Sequence, residues 1–410
     1  MKVLQLYYKM PFPMNDGGAY SIYFNSLSLL GQGVELKILA MDLQSFMGDV
    51  KQIPFDFIQK TKFEFIPVDN RVKLFKALLN FFCSSSYFVT RFYSEKYFNR
   101  LIELLNSNQY DIIQLEHLYL AVYLPYIRKH SNAKVILRTQ NVESLIWRRY
   151  LKNVNNPFIK IFISVALKRL SIFEFEVINN VNGIFTISPF DNNYFRKHLK
   201  HDKITVIPIG VDFLRFNRID INKQYCNFPV LYHLGSMDWS PNVEGLKWFI
   251  KDVFPLLIKK YPDIKFMIAG KNMPKWFFNR KSANLIVEGT INDAIKFQED
   301  KSILIVPLLS GSGIRVKILD GLAMGKTIVS TALGVEGIPV ENNVNILIAD
   351  SKEDFVRQIS RAIESESLCR TIGVNAIKLA KDNFNIKMIG SRMFEFYNNL
   401  IDSIEPMNNL

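Results

Sequence analysis

Two tandem Rossmann-like, doubly wound α/β domains, each on a parallel sheet, are the fold class that this sequence predicts. Three observations carry it. The chain has 410 residues, more than one ordinary core serves, and that length favours two domains of roughly 200 residues each. Short apolar runs alternate with helix-length amphipathic segments, the pattern of βαβ units. The alternation then starts afresh near residue 230.

The first series of expected strands is 2–8, 35–40, 111–115, 134–137 and 183–187, and the second is 230–234, 265–269, 285–287, 303–306 and 327–330. Between them runs Val206-Ile207-Pro208-Ile209-Gly210-Val211-Asp212, followed by a polar stretch to Asn227. Pro and Gly there break regular structure, so the domains are expected at 1–207 and 208–385. Amphipathic patterns predict closing helices over 354–363, 368–383 and 386–401. The last, within 386–410, is expected to cross back to the first domain. No repeat of fixed period and no low-complexity tract interrupts the chain, which argues against solenoid and disordered architectures.

Composition narrows the function classes. Hydrophobic residues make up 49% of the chain, enough for two cores. Cys83, Cys226 and Cys369 are odd in number and lack metal-type or redox-type spacing, which fits a reducing compartment. The amino terminus reads as a first strand and not as a signal peptide, and no apolar stretch has the length of a spanning helix. A cytoplasmic protein, peripheral at the inner face of the plasma membrane, is the expectation. Residues 1–200 hold 25 Lys/Arg against 15 Asp/Glu, leaving 26 against 23 for the remainder. The basic half suits an anionic membrane surface, while the diffuse charge and lack of a recognition motif argue against nucleic acid. Two basic, aromatic-rich segments, 71–100 and 146–170, read either as bilayer-resting surfaces or as core-packed helices with solvated basic faces.

In doubly wound sheets ligands collect outside the carboxyl ends of the strands. The strongest motif begins at such an end, Val306-Pro307-Leu308-Leu309-Ser310-Gly311-Ser312-Gly313-Ile314-Arg315-Val316-Lys317, and continues through Asp320 to Gly325. Glycines permit close backbone approach and the first helical turn offers free N–H groups, an arrangement suited to a diphosphate. Arg315 and Lys317 add mobile positive charge. Asp320, two turns along, can accept hydrogen bonds from ribose hydroxyls.

This segment resembles the donor-site signature of glycosyltransferase family 4, whose helix usually carries Glu-x7-Glu followed by Ala-Met-Ala-x-Gly. Asp320 falls on the second Glu and Ser312 on the first, a departure at the position that commonly contacts the donor sugar. The resemblance extends through Thr186-Ile187-Ser188, the 206–212 segment, Leu234-Gly235-Ser236, Ile268-Ala269-Gly270 and Glu288-Gly289-Thr290-Ile291. It implies the GT-B arrangement of two Rossmann-like domains facing across a cleft, with the acceptor on the first domain and the donor on the second. It also implies sugar transfer with retention, no bound metal or other cofactor, and a UDP- or GDP-linked nucleotide-sugar as co-substrate. The acceptor would be a glycan or lipid-linked glycan of cell-surface polysaccharide synthesis.

Residue by residue, the resemblance assigns donor contacts to Gly17, Gly18, Gly235, Ser236, Thr290, Ile291, Ser312, Gly313, Ile314, Arg315, Lys317 and Asp320. The usual basic pair after the Gly235 strand is replaced by Met237-Asp238-Trp239-Ser240-Pro241-Asn242, so Arg315 and Lys317 are expected to take over the phosphate. Glu116 falls where many relatives have an active-site His, and His117 is its neighbour. A carboxylate at a strand end can equally be a structural hydrogen-bonding group. Near Arg138, Gln140 stands where relatives often have His, and Asn141 and Glu143 are acceptor-side candidates. Gly17 and Gly18 can equally belong to a flexible βα turn capped by Asp16. Two other functions fit parts of the pattern: a GT-B nucleotide-sugar epimerase, and a catalytically silent glycan-binding protein.

Overall fold

The computed structural model describes residues 1–14, 17–44, 48–72, 80, 85–152, 154–216, 221–280, 282–311 and 313–403. Asn15, Asp16, Cys83 and Ser312, with 73–79 and 81–84 of the first basic segment, lie outside the described residues. The chain divides into two compact units, Met1–Ile209 with Lys387–Leu410, and Gly210–Ile386.

Unit 1 holds seven strands: β1 (Lys2–Tyr7), β2 (Glu35–Leu43), β3 (Glu64–Val68), β4 (Ile112–Leu115), β5 (Lys134–Thr139), β6 (Gly183–Thr186) and β7 (Ile204–Val206). Their order is β3-β2-β1-β4-β5-β6-β7, and every pairing is parallel. Unit 2 holds β8 (Val230–Leu234), β9 (Lys265–Ala269), β10 (Leu285–Gly289), β11 (Ile303–Val306), β12 (Thr327–Ser330) and β13 (Leu347–Ile348), ordered β10-β9-β8-β11-β12-β13 and again all parallel. Both sheets grow outward from their first strand in one direction and then in the other. The order therefore reverses between β1 and β4 in unit 1 and between β8 and β11 in unit 2, and those are the points where doubly wound sheets bind ligands. Two Rossmann-like parallel sheets in tandem are the architecture of the GT-B fold.

The central strands are apolar on both faces because helices cover both. Val3, Leu4, Leu6 and Tyr7 of β1 and Ile303–Val306 of β11 have no exposed surface, as parallel strands in doubly wound sheets require. Each such side chain contributes about 1.5–3 kcal/mol of burial.

The helices that bear on the candidate sites are α1 (Gly17–Leu30), α2 (Glu143–Lys152), α3 (Pro157–Asn180), α4 (Ser240–Trp248), α5 (Val316–Ala323), α6 (Lys352–Glu364), α7 (Glu366–Phe384) and α8 (Ile386–Asp402). Serines start α6 and α7: Ser351 Oγ accepts from the N–H of Asp354 at 3.0 Å, and Ser365 Oγ from that of Leu368 at 3.1 Å. Both helices therefore begin two residues before their apolar periodicity does. In α8, Phe396 and Tyr397 lie against Phe185 of β6 with ring centroids 5.0 and 5.7 Å away. The Tyr397 hydroxyl donates to Gln114 Oε1 on β4.

Two helical glycines sit where another backbone passes. A Cβ on Gly245 of α4 would lie 2.1 Å from the Pro307 carbonyl oxygen, and one on Gly390 of α8 would lie 2.2 Å from that of Ser28. Helix propensity alone would make Gly→Ala favourable by about 1 kcal/mol, whereas overpacking against a backbone atom costs about 1–3 kcal/mol. Gly245→Ala and Gly390→Ala should therefore each lower the melting temperature in a thermal unfolding experiment. A rise in either would show that the close approach does not exist.

Candidate functional site

At the switch point of unit 2 the segment from Pro307 to Arg315 joins β11 to α5. Gly311 has φ +110° and Gly313 φ +83°, values that L side chains adopt only under strain. A Cβ on Gly311 would stand 2.7 Å from Trp239 Cζ2, so the loop lies directly on that indole. Arg315 precedes α5 and is 5% exposed. Its guanidinium carbon is 5.3 Å from the Trp239 ring centroid, and Nη2 donates to the Leu333 carbonyl at 3.4 Å. The expectation of a mobile cation at Arg315 is thus corrected: cation–π contact and burial hold the side chain against the loop it follows.

Lys317, in the first turn of α5, is placed differently. Its Nζ donates to Asn242 Oδ1 at 2.9 Å and to His233 Nε2 at 3.1 Å. His233 on β8 is fully buried, and its Nδ1 lies 2.8 Å from the Ile305 carbonyl oxygen. A carbonyl can only accept, so Nδ1 carries the proton and Nε2 presents a lone pair to the lysine. Burial and the nearby Lys317 charge hold His233 well below the ordinary histidine range and keep it neutral. Burial, with Arg315 adding repulsion, brings Lys317 down to about 7. Asn242 is oriented in turn by donating its Nδ2 to the Ser236 carbonyl at 2.7 Å.

Gly235 makes this arrangement possible. A Cβ there would fall 2.5 Å from Lys317 Nζ and 3.2 Å from His233 Nε2. Its N–H donates to the Ala269 carbonyl at 3.1 Å, the Gly270 N–H donates to the Gly289 carbonyl at 2.7 Å, and a Cβ on Gly270 would sit 1.7 Å from the Gly235 carbonyl oxygen. The carboxyl ends of β8, β9 and β10 are thereby drawn together. Thr290 is exposed and Ile291 half-buried just past β10, while Ile314 is buried and Gly313 half-buried. Asp320 sits 3.7 Å from Arg215 Nη1 and keeps 15% of its side chain exposed. Ser312 lies outside the described residues. Sequence reasoning missed His233, Asn242 and Trp239 as members of this cluster; a lone histidine in a buried strand run was the signal available for the first.

At the switch point of unit 1, Glu116 follows β4 with no exposed surface. Its Oε1 accepts from Asn25 Nδ2 at 2.6 Å, from Gln5 Nε2 at 3.2 Å and from Gln114 Nε2, and its Oε2 lies 3.4 Å from Arg138 Nη1. Burial raises its pKa, which Arg138 and the amide donors partly oppose. The carboxylate named as a catalytic candidate is placed inside a closed polar network.

A second buried polar pair lies next to it in the chain. His117 Nε2 lies 3.4 Å from Glu143 Oε1, and the Tyr119 hydroxyl donates to Glu143 Oε2 at 2.6 Å. Burial opposes ionisation of Glu143, but His117 and Tyr119 outweigh it and hold the carboxyl below its usual range. Glu174 of α3 accepts from the N–H groups of Glu143 at 2.8 Å and Ser144 at 3.3 Å, and so caps α2. Burial lifts Glu174 to about 7. Gln140 donates to the Glu116 carbonyl at 3.4 Å, Asn141 is half-buried, and Gly17 and Gly18 are half-buried in the first turn of α1. Among the described residues no group of three or more His, Cys, Asp or Glu is arranged to hold a metal ion.

Residues 228–365, most of unit 2, match the family model described as Glycosyl transferases group 1. An uncharacterized 44.6 kDa protein in the cps region of Klebsiella pneumoniae is 25% identical over 309 residues, which is 72% of this chain and 76% of that protein. Among solved structures, sucrose-phosphate synthase from Thermosynechococcus elongatus is similar with a TM-score of 0.68 at 12% identity, covering 98% of this chain and 99% of that one. Anabaena HepE in complex with UDP has a TM-score of 0.66 at 14% identity, covering 97% and 100%. A glycosyltransferase from Rickettsia africae has a TM-score of 0.62 at 18% identity, covering 98% and 99%. Two parallel sheets of the same strand order, a glycine-lined switch point in the second, and this set of likenesses together give the chain the GT-B fold found among glycosyltransferases.

Proposed function

We propose that the chain is a retaining glycosyltransferase that takes its sugar from a UDP-linked donor bound to unit 2 and passes it to a glycan or lipid-linked glycan of cell-surface polysaccharide. The observation that carries this reading is the Lys317 ammonium, held by His233 and Asn242 at the switch point of the second sheet. Beside it α5 opens without a side-chain cap, so backbone N–H groups and an ammonium converge where a diphosphate would lie. UDP is preferred to GDP because the similar Anabaena protein was solved with UDP and with UDP-glucose. The cps-region setting of the Klebsiella relative supports the acceptor class.

In this reading the bond between the anomeric carbon and the diphosphate oxygen breaks while Lys317 and the α5 N–H groups take up the charge that develops on the leaving group. The acceptor hydroxyl attacks from the same face and gives its proton to a phosphate oxygen, so configuration is retained. Arg315 acts from beneath, by fixing the loop through Trp239, and Asp320 takes the ribose hydroxyls. In unit 1, His117 and Glu143 stand at adjacent strand ends as acceptor-side groups, with Glu116 holding those strands in register.

Three outcomes check this. Lys317→Ala should cost about 2.7–4 kcal/mol of barrier in a UDP-sugar transfer assay, by analogy with the loss of one oxyanion contact. Asp320→Asn should mainly weaken donor binding, because ribose hydroxyls do not change charge. Parental rates in both folded variants would remove the donor from this helix.

The second outcome concerns protons. Free Lys317 titrates near 7, and a bound diphosphate favours its charged form, so the pKa rises on binding. Above pH 7 donor binding should therefore take up a proton and weaken as pH rises. Calorimetry at pH 8 in two buffers of different ionisation enthalpy should register that uptake in the parent and lose it in Lys317→Ala; equal heats in the parent would sink the assignment. Third, transfer should survive EDTA, since Lys317 and backbone N–H groups supply the positive charge that a metal supplies elsewhere. Loss of activity restored by added metal would refute it.

A further inference from the structure

α2 and α3 follow one another in the chain and pack antiparallel, the start of α2 against Glu174 near the end of α3, and the charge of this hairpin is one-sided. Between Glu143 and Glu174 there is no Asp or Glu, while Arg148, Arg149, Lys152, Lys160, Lys168 and Arg169 all fall in that interval. Asn156 starts α3 by accepting from the N–H groups of Phe158 at 3.0 Å and Ile159 at 3.2 Å. That cap satisfies two N–H groups at the start of the helix. Its first buried side chain is Ile163.

In the turn and a half before Ile163 only Phe162 leans on the core, its ring 6.2 Å from that of Tyr87, and the apolar side chains at 158, 159 and 161 are exposed. Phe158 is 82% exposed, Ile161 57% and Ile159 49%, and Tyr150 on α2 is 54% exposed. Isolated exposed apolar residues are ordinary. Three within four positions, on a hairpin that also exposes Arg148, Lys152 and Lys160 and has no carboxylate in the interval, are not, and they cost solubility unless something covers them. The half of the segment nearer Glu174 behaves otherwise: Ala166, Leu167 and Leu170 are buried against the core, and Arg169 Nη1 donates to the Asn80 carbonyl at 2.7 Å. Beyond the tip, Ile172 is the one other strongly exposed apolar side chain among the described residues of α3, and it stands alone.

We propose that this hairpin tip is a membrane-docking surface, with Phe158, Ile159 and Ile161 entering the acyl boundary of an anionic bilayer and Arg148, Lys152 and Lys160 meeting its headgroups. Charge complementarity selects the occupant, because the long aliphatic stems of Lys and Arg let their charges stay at headgroup level while the tip descends. Each basic residue near an anionic surface raises partitioning about fivefold. The inference stands apart from the donor chemistry of unit 2, and its test uses no nucleotide-sugar.

The test is co-sedimentation of the full chain with phosphatidylcholine vesicles, with and without phosphatidylglycerol. The parent should sediment with the mixed vesicles, release in high salt, and stay in solution with phosphatidylcholine alone. Phe158→Ser/Ile159→Ser/Ile161→Ser should reduce binding about tenfold or more, and Arg148→Gln/Lys152→Gln/Lys160→Gln should do likewise. All six positions are exposed, so melting temperatures should match the parent and separate lost docking from lost folding. Equal sedimentation of parent and both variants would overturn the proposal. So would failure of the folded parent to bind either vesicle, which would leave the tip to a partner protein.

Discussion

The lack of a side chain at Gly235 is the constraint on which the organisation of unit 2 rests. It leaves the volume into which Lys317 reaches, while the missing side chain at Gly270 lets the ends of β8 and β9 touch through their backbones. Around that volume the polar groups are ordered in sequence. The Ile305 carbonyl sets the tautomer of His233, the tautomer presents a lone pair, and the lone pair with Asn242 aims the ammonium. A cationic group of low pKa is thereby held where a βα loop opens a helix. The proposed donor chemistry needs such preorganisation, because donors already in place cost nothing to reorganise when charge develops.

Unit 1 solves a different problem. Glu116 and Arg138 are both without exposed surface, and a buried ion pair is worth keeping only when hydrogen bonds satisfy its remaining valences. Gln5, Asn25 and Gln114 meet the carboxylate, and Ser21 meets the guanidinium at 2.8 Å. Among the described residues Arg138 Nε and Nη2 meet no hydrogen-bond partner. Strands β1, β4 and β5 and helix α1 converge on one charge pair, which fixes their ends relative to each other and so positions His117 and Glu143.

Much of this was legible in the residues. The strands that carry long apolar runs, the restart near residue 230 and the three closing helices all follow from periodicity. β3, β7 and β13 do not. β3 is an edge strand containing Pro67, tolerated there because an edge needs no N–H on its outer side, and β7 and β13 are three and two residues long. At the sites, glycines and cations announce themselves at strand ends, so Gly235 and Lys317 could be named in advance. What a sequence does not reveal is which cation reaches an opening and which lies flat. Arg315 and Lys317 are two residues apart, yet one packs on Trp239 and the other on His233, because both partners come from strand and loop segments some 80 residues earlier. Burial of Glu116 was hidden for the same reason: its donors arrive from four separate elements.

The chain leaves unit 1 after Ile209 and re-enters it at Lys387, and the two crossing points are clasped together. Val211 pairs with Asn385, its N–H donating to the Phe384 carbonyl at 2.6 Å and its carbonyl accepting from Ile386 at 3.2 Å. Unit 2 is therefore an insertion whose ends meet, and its closing contacts need nothing beyond Ile386. Unit 1 differs. Its β4 glutamine is met by the Tyr397 hydroxyl and Phe185 by Phe396, both from α8. A chain cut back after Ile386 would keep every contact of the unit 2 clasp and lose the cover over β4 and β6 of unit 1, so the two units depend unequally on the last helix.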